Sequence, residues 1–365
     1  MNRLTILRPA WWRNTPVWIC LVCMFCGASA SAQRYGSGLG GVIEDGAAVV
    51  VGGNAYTRLN TTVDPKTLYR CRPGDDTLTP IWTSEHVFNY VSTSSDGSVI
   101  ALIEFVSIRS DLPAAGAECA LRLVDLEGRT LKSLHGVYDY SWSPEGRRIA
   151  YVSGDHYEGG RGFLATGVWL LDVDSGEIRK INEVGFYVKW AKHDGRIYIE
   201  GPDGIVAFDP TTERTEPTTV KGLRFSPNGE YYYRRASEGG PFRIFDASSD
   251  EDITDQFAIF AVESTIKRMR HIQPYLWLDD TSFVFPTPWW GVEGRRKNLG
   301  YVFSVATGEL RQLRGETIIG TTDDREKPVI AIDRDGMFQT LDLDAMPEIS
   351  PEILEEKSSL VDMGR

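Results

Sequence analysis

The sequence predicts an all-β chain assembled from repeated four-stranded antiparallel sheets, and two observations carry that prediction. The stretch 137–181, VYDYSWSPEGRRIAYVSGDHYEGGRGFLATGVWLLDVDSGEIRKI, alternates apolar and polar residues in four short runs parted by Pro, Gly and Asp turn signals. Pieces of that unit recur at spacings of about 34 to 51 residues, the range of the blades of a β-propeller. A sheet of this width cannot bury both faces alone, so the copies must cover one another.

Taken in order, residues 1–32 stand apart. Arg3, Arg8 and Arg13 form a basic segment, 16–25 (PVWICLVCMF) is an apolar run too short to span a bilayer, and Ala30-Ser31-Ala32 offers a small-x-small cleavage pattern. This reads as a secretory signal peptide, with Cys20, Cys23 and Cys26 as apolar filler. Its removal takes three arginines and no acid, moving the net charge from −12 to −15. So acidic a chain is a poor match for nucleic acid, whose phosphates need a basic face. It suits a periplasmic or secreted protein, and no later apolar run approaches membrane-spanning length. Of the two remaining cysteines, Cys71 falls near the end of a third strand and Cys119 near the start of the next one. That separates them by roughly 20 Å at 3.3 Å per residue, which argues against a disulfide.

Residues 33–349 then read as blades near 33–80, 81–134, 135–181, 182–215, 216–265, 266–314 and 315–349. Seven is the count favoured; six or eight stay open. In the anchor unit the strands are 137–143, 148–153, 168–173 and 177–181, with Pro144-Glu145-Gly146 and Asp174-Ser175-Gly176 as turns. The first turn returns as Ser95-Asp96-Gly97, His193-Asp194-Gly195 and Pro227-Asn228-Gly229. The second returns in Asp125–Gly128, in Asp209-Pro210 and around Gly308. The first unit has a Gly-rich leading strand (Gly36, Gly38, Gly40, Gly41) and the last lacks a clear fourth strand. Whether 33–41 opens the first blade or completes the last is left open by the sequence. Residues 350–365 form a C-terminal helix or an acidic tail; Ser350-Pro351-Glu352 has the pattern of a helix start. Trp142, Trp169, Trp190 and Trp277 recur at strand positions and read as packing between blades.

Tyr140-Ser141-Trp142-Ser143-Pro144-Glu145-Gly146-Arg147-Arg148-Ile149-Ala150-Tyr151-Val152-Ser153 resembles the repeat of TolB-type β-propellers, which prolyl-oligopeptidase-like peptidases share in their propellers. Phe225-Ser226-Pro227-Asn228-Gly229 is a second good match. TolB carries an α/β domain before its propeller and the peptidases a catalytic α/β domain beside theirs. Neither is matched here, and no Gly-x-Ser-x-Gly nucleophile elbow occurs. The resemblance therefore implies a stand-alone exported propeller without the peptidase chemistry.

Function is less strongly written. The longest connections fall between second and third strands, at 107–118, 153–167 and 286–299, all on one face, where binding residues gather on a rigid scaffold. The last contains Trp289, Trp290, Arg295, Arg296 and Lys297; paired tryptophans beside cations are the residue types of interaction hot spots. Arg109 and Arg161 stand in the other two. These residues point to a non-enzymatic binding or scaffold propeller with a protein or polysaccharide partner and no cofactor. The alternative is a lyase or hydrolase acting on acidic sugars, with manganese or zinc held by His86, His135 and His271 at the channel mouth. His86 and His135 lie in matched register, each eleven residues before a turn glycine (Gly97, Gly146), and His271 lies near the equivalent point of the sixth unit. His156 and His193 read as solvated, and Asp172-x-Asp174 as a turn without the later ligands of a calcium loop.

Overall fold

The computed structural model describes residues 40–42, 47–51, 66–72, 78–108, 117–156, 163–235, 242–254, 276–290, 296–312, 317–320, 329–332, 338–341 and 346. Among them, seven antiparallel sheets follow one another along the chain. The first holds β1 (Gly40–Val42), β2 (Ala48–Val51), β3 (Thr67–Cys71) and β4 (Thr79–Thr83), and the second holds β5 (Phe88–Thr93), β6 (Val99–Ile108), β7 (Ala117–Asp125) and β8 (Thr130–His135). The third holds β9 (Val137–Trp142), β10 (Arg148–His156), β11 (Phe163–Asp172) and β12 (Ile178–Asn182). The fourth consists of β13 (Tyr187–Trp190), β14 (Ile197–Gly201), β15 (Gly204–Asp209) and β16 (Arg214–Pro217), the fifth of β17 (Arg224–Phe225), β18 (Tyr231–Arg235) and β19 (Phe242–Asp246). The sixth is β20 (Leu276–Trp277), β21 (Ser282–Trp290), β22 (Arg296–Ser304) and β23 (Leu310–Gln312), and the seventh β24 (Thr317–Gly320), β25 (Val329–Ile332) and β26 (Phe338–Leu341). Each sheet is a simple meander, its strands side by side in chain order.

Local chemistry sets the two turns of each unit. In the first, a serine ends the leading strand and a glycine occupies the left-handed region: Gly97, Gly146 and Gly229 have φ near +71°, +75° and +75°. The backbone N–H of each glycine bonds the carbonyl of Ser94, Ser143 or Ser226. The same serine hydroxyls accept the N–H of Val99, Arg148 and Tyr231, which start the next strand. In the second turn an aspartate ends the third strand and its carboxylate accepts the turn's N–H groups. Asp172 takes Ser175 N, Asp209 takes Thr211 N and Asp246 takes Ser248 N, at 2.8, 2.8 and 2.9 Å. These bonds hold all three carboxyls below the ordinary aspartate range.

The core lies between sheets, because strand alternation sends neighbouring residues to opposite faces. Ile100 and Leu102 of β6 pack with Leu68 and Phe88 toward the first sheet, while Ala101 between them packs with Ile149 and Tyr151 of the third. In β10, Ala150 and Val152 turn the other way and join Val188, Trp190, Ile197 and Ile199 of the fourth. Tyr198 then faces the fifth sheet, with Phe225, Tyr232 and Phe245. Trp142 and Trp169 pack against the second–third layer, Trp190 is 2% exposed and joins the third–fourth cluster, and Trp277 lies 6.1 Å from Tyr233 of the fifth sheet. The tryptophans are inter-sheet packing, as the sequence predicts. β1 lies against both β5 and β24, so Gly40 and Gly41 belong to the leading strand of the first sheet, next to the seventh.

Two expectations need correction. The connections at 107–118, 153–167 and 286–299 are strand at both of their ends. β6 and β7 run to Ile108 and from Ala117, β10 and β11 to His156 and from Phe163, β21 and β22 to Trp290 and from Arg296. Their residues lack the apolar alternation that marks a half-buried strand, so the sequence alone reads them as loop. Pro286 and Pro288 are tolerated because Ser304 N points to the Glu309 carbonyl just before β23, which fixes the ladder's phase. Their missing N–H groups then face away from β22. The second correction is His193, whose side chain is only 21% exposed. Its ring lies 5.5 Å from that of Phe225 and fills the space beside the turn glycine Gly229, where an added Cβ would meet it at 2.1 Å.

Cys119 is a buried thiol in β7. One buried ion pair crosses the second sheet: Glu104, 3% exposed, accepts from Arg122 Nε at 2.6 Å. Ser84 donates to the same carboxylate, and Ser84 Oγ accepts the N–H of His86 at 2.8 Å, so the pair also fixes the β4–β5 connection. Glu104→Ala is expected to destabilise the protein by about 3–5 kcal/mol by stranding Arg122, and Glu104→Met with Arg122→Met by much less. Urea denaturation of the three proteins measures both.

Candidate functional site

The extended hairpins of the second, third and sixth sheets all leave from the same end of their strands, as connections between second and third strands must. In the sixth, the register sets Trp289 opposite Lys297 and Trp290 opposite Arg296, which gathers two aromatic and two cationic residues at the tip of one hairpin. Arg295, Arg109 and Arg161 lie outside the described residues. His86 is half-buried in the β4–β5 connection, and His135 closes β8, the outermost strand of its sheet, with Nδ1 3.6 Å from Glu118. His271 lies outside the described residues. Among those described, no three His, Cys, Asp or Glu side chains are grouped to hold a metal. At the opposite end, a cleft of about 560 Å³ separates the turns of the fifth and sixth sheets. Its Asp246 carboxylate is already occupied by Ser248 and Ser249.

A second constellation sits on the leading strands and is not evident in the sequence. A leading strand has one edge without a strand partner, and its N–H groups need acceptors. Asp139 Oδ2 of β9 accepts the N–H of Val188 in β13 at 2.9 Å, and Ser141 Oγ accepts that of Trp190 at 2.9 Å. One sheet thus closes two sites on the open edge of the next. Beside this junction stand Lys189 and Tyr187, at the exposed alternate positions of β13, with Glu200 of β14 paired to Tyr187.

Burial pushes the Asp139 carboxyl up to about 7, outweighing the Val188 and Tyr140 N–H bonds and the charges of Arg224 and Lys189, which favour the carboxylate. Lys189 keeps solvent access, yet protein crowds it on enough sides that desolvation is the first reason its ammonium titrates below the ordinary lysine range. Lys192 and Arg224 push the same way and Asp139 opposes. Burial also raises Glu200, against the pull of Arg224. Arg224 is held cationic chiefly by Tyr233, whose ring centre lies 6.0 Å from the guanidinium, and Asp139 adds to that. The arrangement carries fixed charge without a nucleophile poised on a base. Chemically it is equipped to bind.

No family model and no curated protein matches the chain. Among solved structures, TolB from Acinetobacter baumannii aligns over 73% of this chain at 15% identity and a TM-score of 0.45. The chain spans 62% of that structure's length. A putative TolB from Agrobacterium tumefaciens aligns over 76% of this chain and 79% of its own, at 15% identity and a TM-score of 0.38. A chain of the Mitotic Checkpoint Complex crystal structure aligns over 85% and 91%, at 11% identity and 0.47.

The titration of Asp139 has a definite sign. A carboxyl that binds its proton more tightly folded than unfolded contributes stability at low pH, and that stability is lost as pH rises from the ordinary aspartate value, 3.8, to about 7. The turn aspartates act oppositely, losing their contribution as pH falls below that ordinary value. Stability is expected to decline between about pH 4 and 7, and Asp139→Asn, which keeps an acceptor for Val188, is expected to flatten that decline. Chemical denaturation across the pH range measures the slope.

Proposed function

We propose that the chain is an exported, non-enzymatic β-propeller whose seven sheets close into a ring and which presents its extended hairpins to a protein or polysaccharide ligand. Contact of β1 with both β5 and β24 supports the ring, since only the first and last blades of a closed propeller meet in this way. The signal-like segment at 1–32 supports export to the periplasm or beyond.

The observation that carries the binding reading is the sixth-sheet hairpin. The register that sets Trp289 opposite Lys297 and Trp290 opposite Arg296 gathers aromatic and cationic residues, the types of interaction hot spots, at the far end of one hairpin. Arg295 in the same hairpin, and Arg109 and Arg161 in the neighbouring connections, extend the surface. The mature protein, immobilised and exposed to an envelope extract of its own source, is expected to retain a defined protein or polysaccharide. Replacing Trp289 and Trp290 by Ala is expected to weaken that retention at least tenfold with an unchanged thermal midpoint. Retention that survives the double substitution removes this surface from the account.

A further inference from the structure

We propose that the cleft between the turns of the fifth and sixth sheets is a docking site for a basic side chain, lysine or arginine, of a partner protein. It lies at the end opposite the extended hairpins and stands or falls independently of the surface proposed there.

The first argument is what fills the equivalent place elsewhere in the molecule. In the turn between third and fourth strands, one residue takes the left-handed conformation. Gly176, Glu213, Asp250 and Gly308 do so in the third to sixth sheets, with φ near +73°, +58°, +57° and +74°. In three successive sheets a cation from the sheet before comes to that residue. Lys132 of β8 donates from Nζ to the Gly176 carbonyl at 3.3 Å, and Arg179 of β12 pairs with Glu213 at 2.9 Å. Lys221, which follows β16, pairs with Asp250. The sixth sheet departs from this rule. Among the described residues, a Cβ on Gly308 would meet no atom within 4 Å, and beside that glycine opens the cleft of about 560 Å³.

The second argument is the lining. One wall is formed by Asp246, Tyr231 opposite it in the strand register, Glu251 and two serines, the other by the turn of the sixth sheet up to Gly308. No lysine, arginine or histidine is among the lining residues. The bonds that Asp246 takes from Ser248 and Ser249 all end on Oδ1, so Oδ2 keeps its capacity to accept. The same bonds hold this carboxyl below the ordinary aspartate range, which keeps it an anion at neutral pH. Glu251 is exposed and pairs with no described cation.

Two carboxylates with no cation between them match an ammonium or guanidinium and disfavour an anion. Ile253 and Val305, which also line the cleft, suit the methylene stem of a lysine or arginine. The net charge of −12 draws the same class of partner toward the protein.

Fluorescence anisotropy with the mature protein at low ionic strength tests this with three labelled pentapeptides. They read Gly-Ser-X-Ser-Gly, X being arginine, lysine or citrulline, the uncharged counterpart of arginine. Saturable binding of the arginine or lysine peptide is expected, at least tenfold tighter than that of the citrulline peptide. Glu251→Gln is expected to weaken it at least tenfold, and so is Thr307→Arg, which gives the cleft a cation of its own. Glu177→Gln, at the equivalent turn position of the third sheet where Lys132 is already in place, is expected to leave it unchanged. Lys267, Arg268 and Arg270 lie outside the described residues, and replacing all three by Gln is expected to leave binding unchanged too. A tenfold gain in that variant would make the chain's own cations the occupants and overturn the proposal. No saturable binding of either charged peptide, equal binding of the citrulline peptide, or binding that Glu251→Gln and Thr307→Arg leave intact also overturns it.

Discussion

One constraint governs this molecule: a narrow sheet with two apolar faces must have a neighbour on each. Strand alternation makes that unavoidable. Ile100 and Leu102 look one way and Ala101 the other, and all three have no solvent exposure. The same holds for Ile149 and Ala150, and for Ile197 and Tyr198 with its 6% exposure. Burying one such aliphatic side chain contributes about 1.5–3 kcal/mol, so an isolated sheet would forfeit most of what offsets the entropy of ordering its strands. The repeat is therefore a requirement of the strand pattern.

Packing alone leaves the backbone at the open edges unsatisfied, and the structure answers with side chains from the adjacent sheet. Asp139 and Ser141 serve the edge of β13. Trp277 Nε1 donates to the Arg224 carbonyl of β17 at 3.2 Å. The turns interlock as well. The backbone of Gly146 sits against Ser95 of the preceding sheet, and that of Gly128 against the Ile81 carbonyl, too close in both cases for a Cβ. A residue such as Asp139 is thus fastener and electrostatic centre together. The burial that makes it a good cap also raises its affinity for a proton.

Much of this was legible in the sequence. In the third unit the strand ends at the two turns, near 142–148 and 172–178, follow from the sequence because apolar alternation and the turn glycines agree there. The hairpin extensions were not legible, since their residues lack that alternation, and a run such as Pro286-Thr287-Pro288 reads as loop until the ladder's phase is known. The leading-strand cluster was hidden for another reason. Asp139, Lys189 and Arg224 are far apart in the chain and meet only because successive leading strands stand side by side. Their one signal, a charged residue one to three positions before the aromatic that ends each leading strand, has meaning only once those strands are aligned in space.

Hydrogen exchange at the amides of Val188 and Trp190 measures most directly whether neighbouring sheets close each other's open edges. Both N–H groups face away from β14, so a fourth sheet with an uncapped edge would exchange them at nearly the rate of unstructured chain. The account predicts protection at both comparable to the amides inside β14, with Val188 alone losing it in Asp139→Ala and Trp190 alone in Ser141→Ala. Rapid exchange at both positions in the unaltered protein would contradict it.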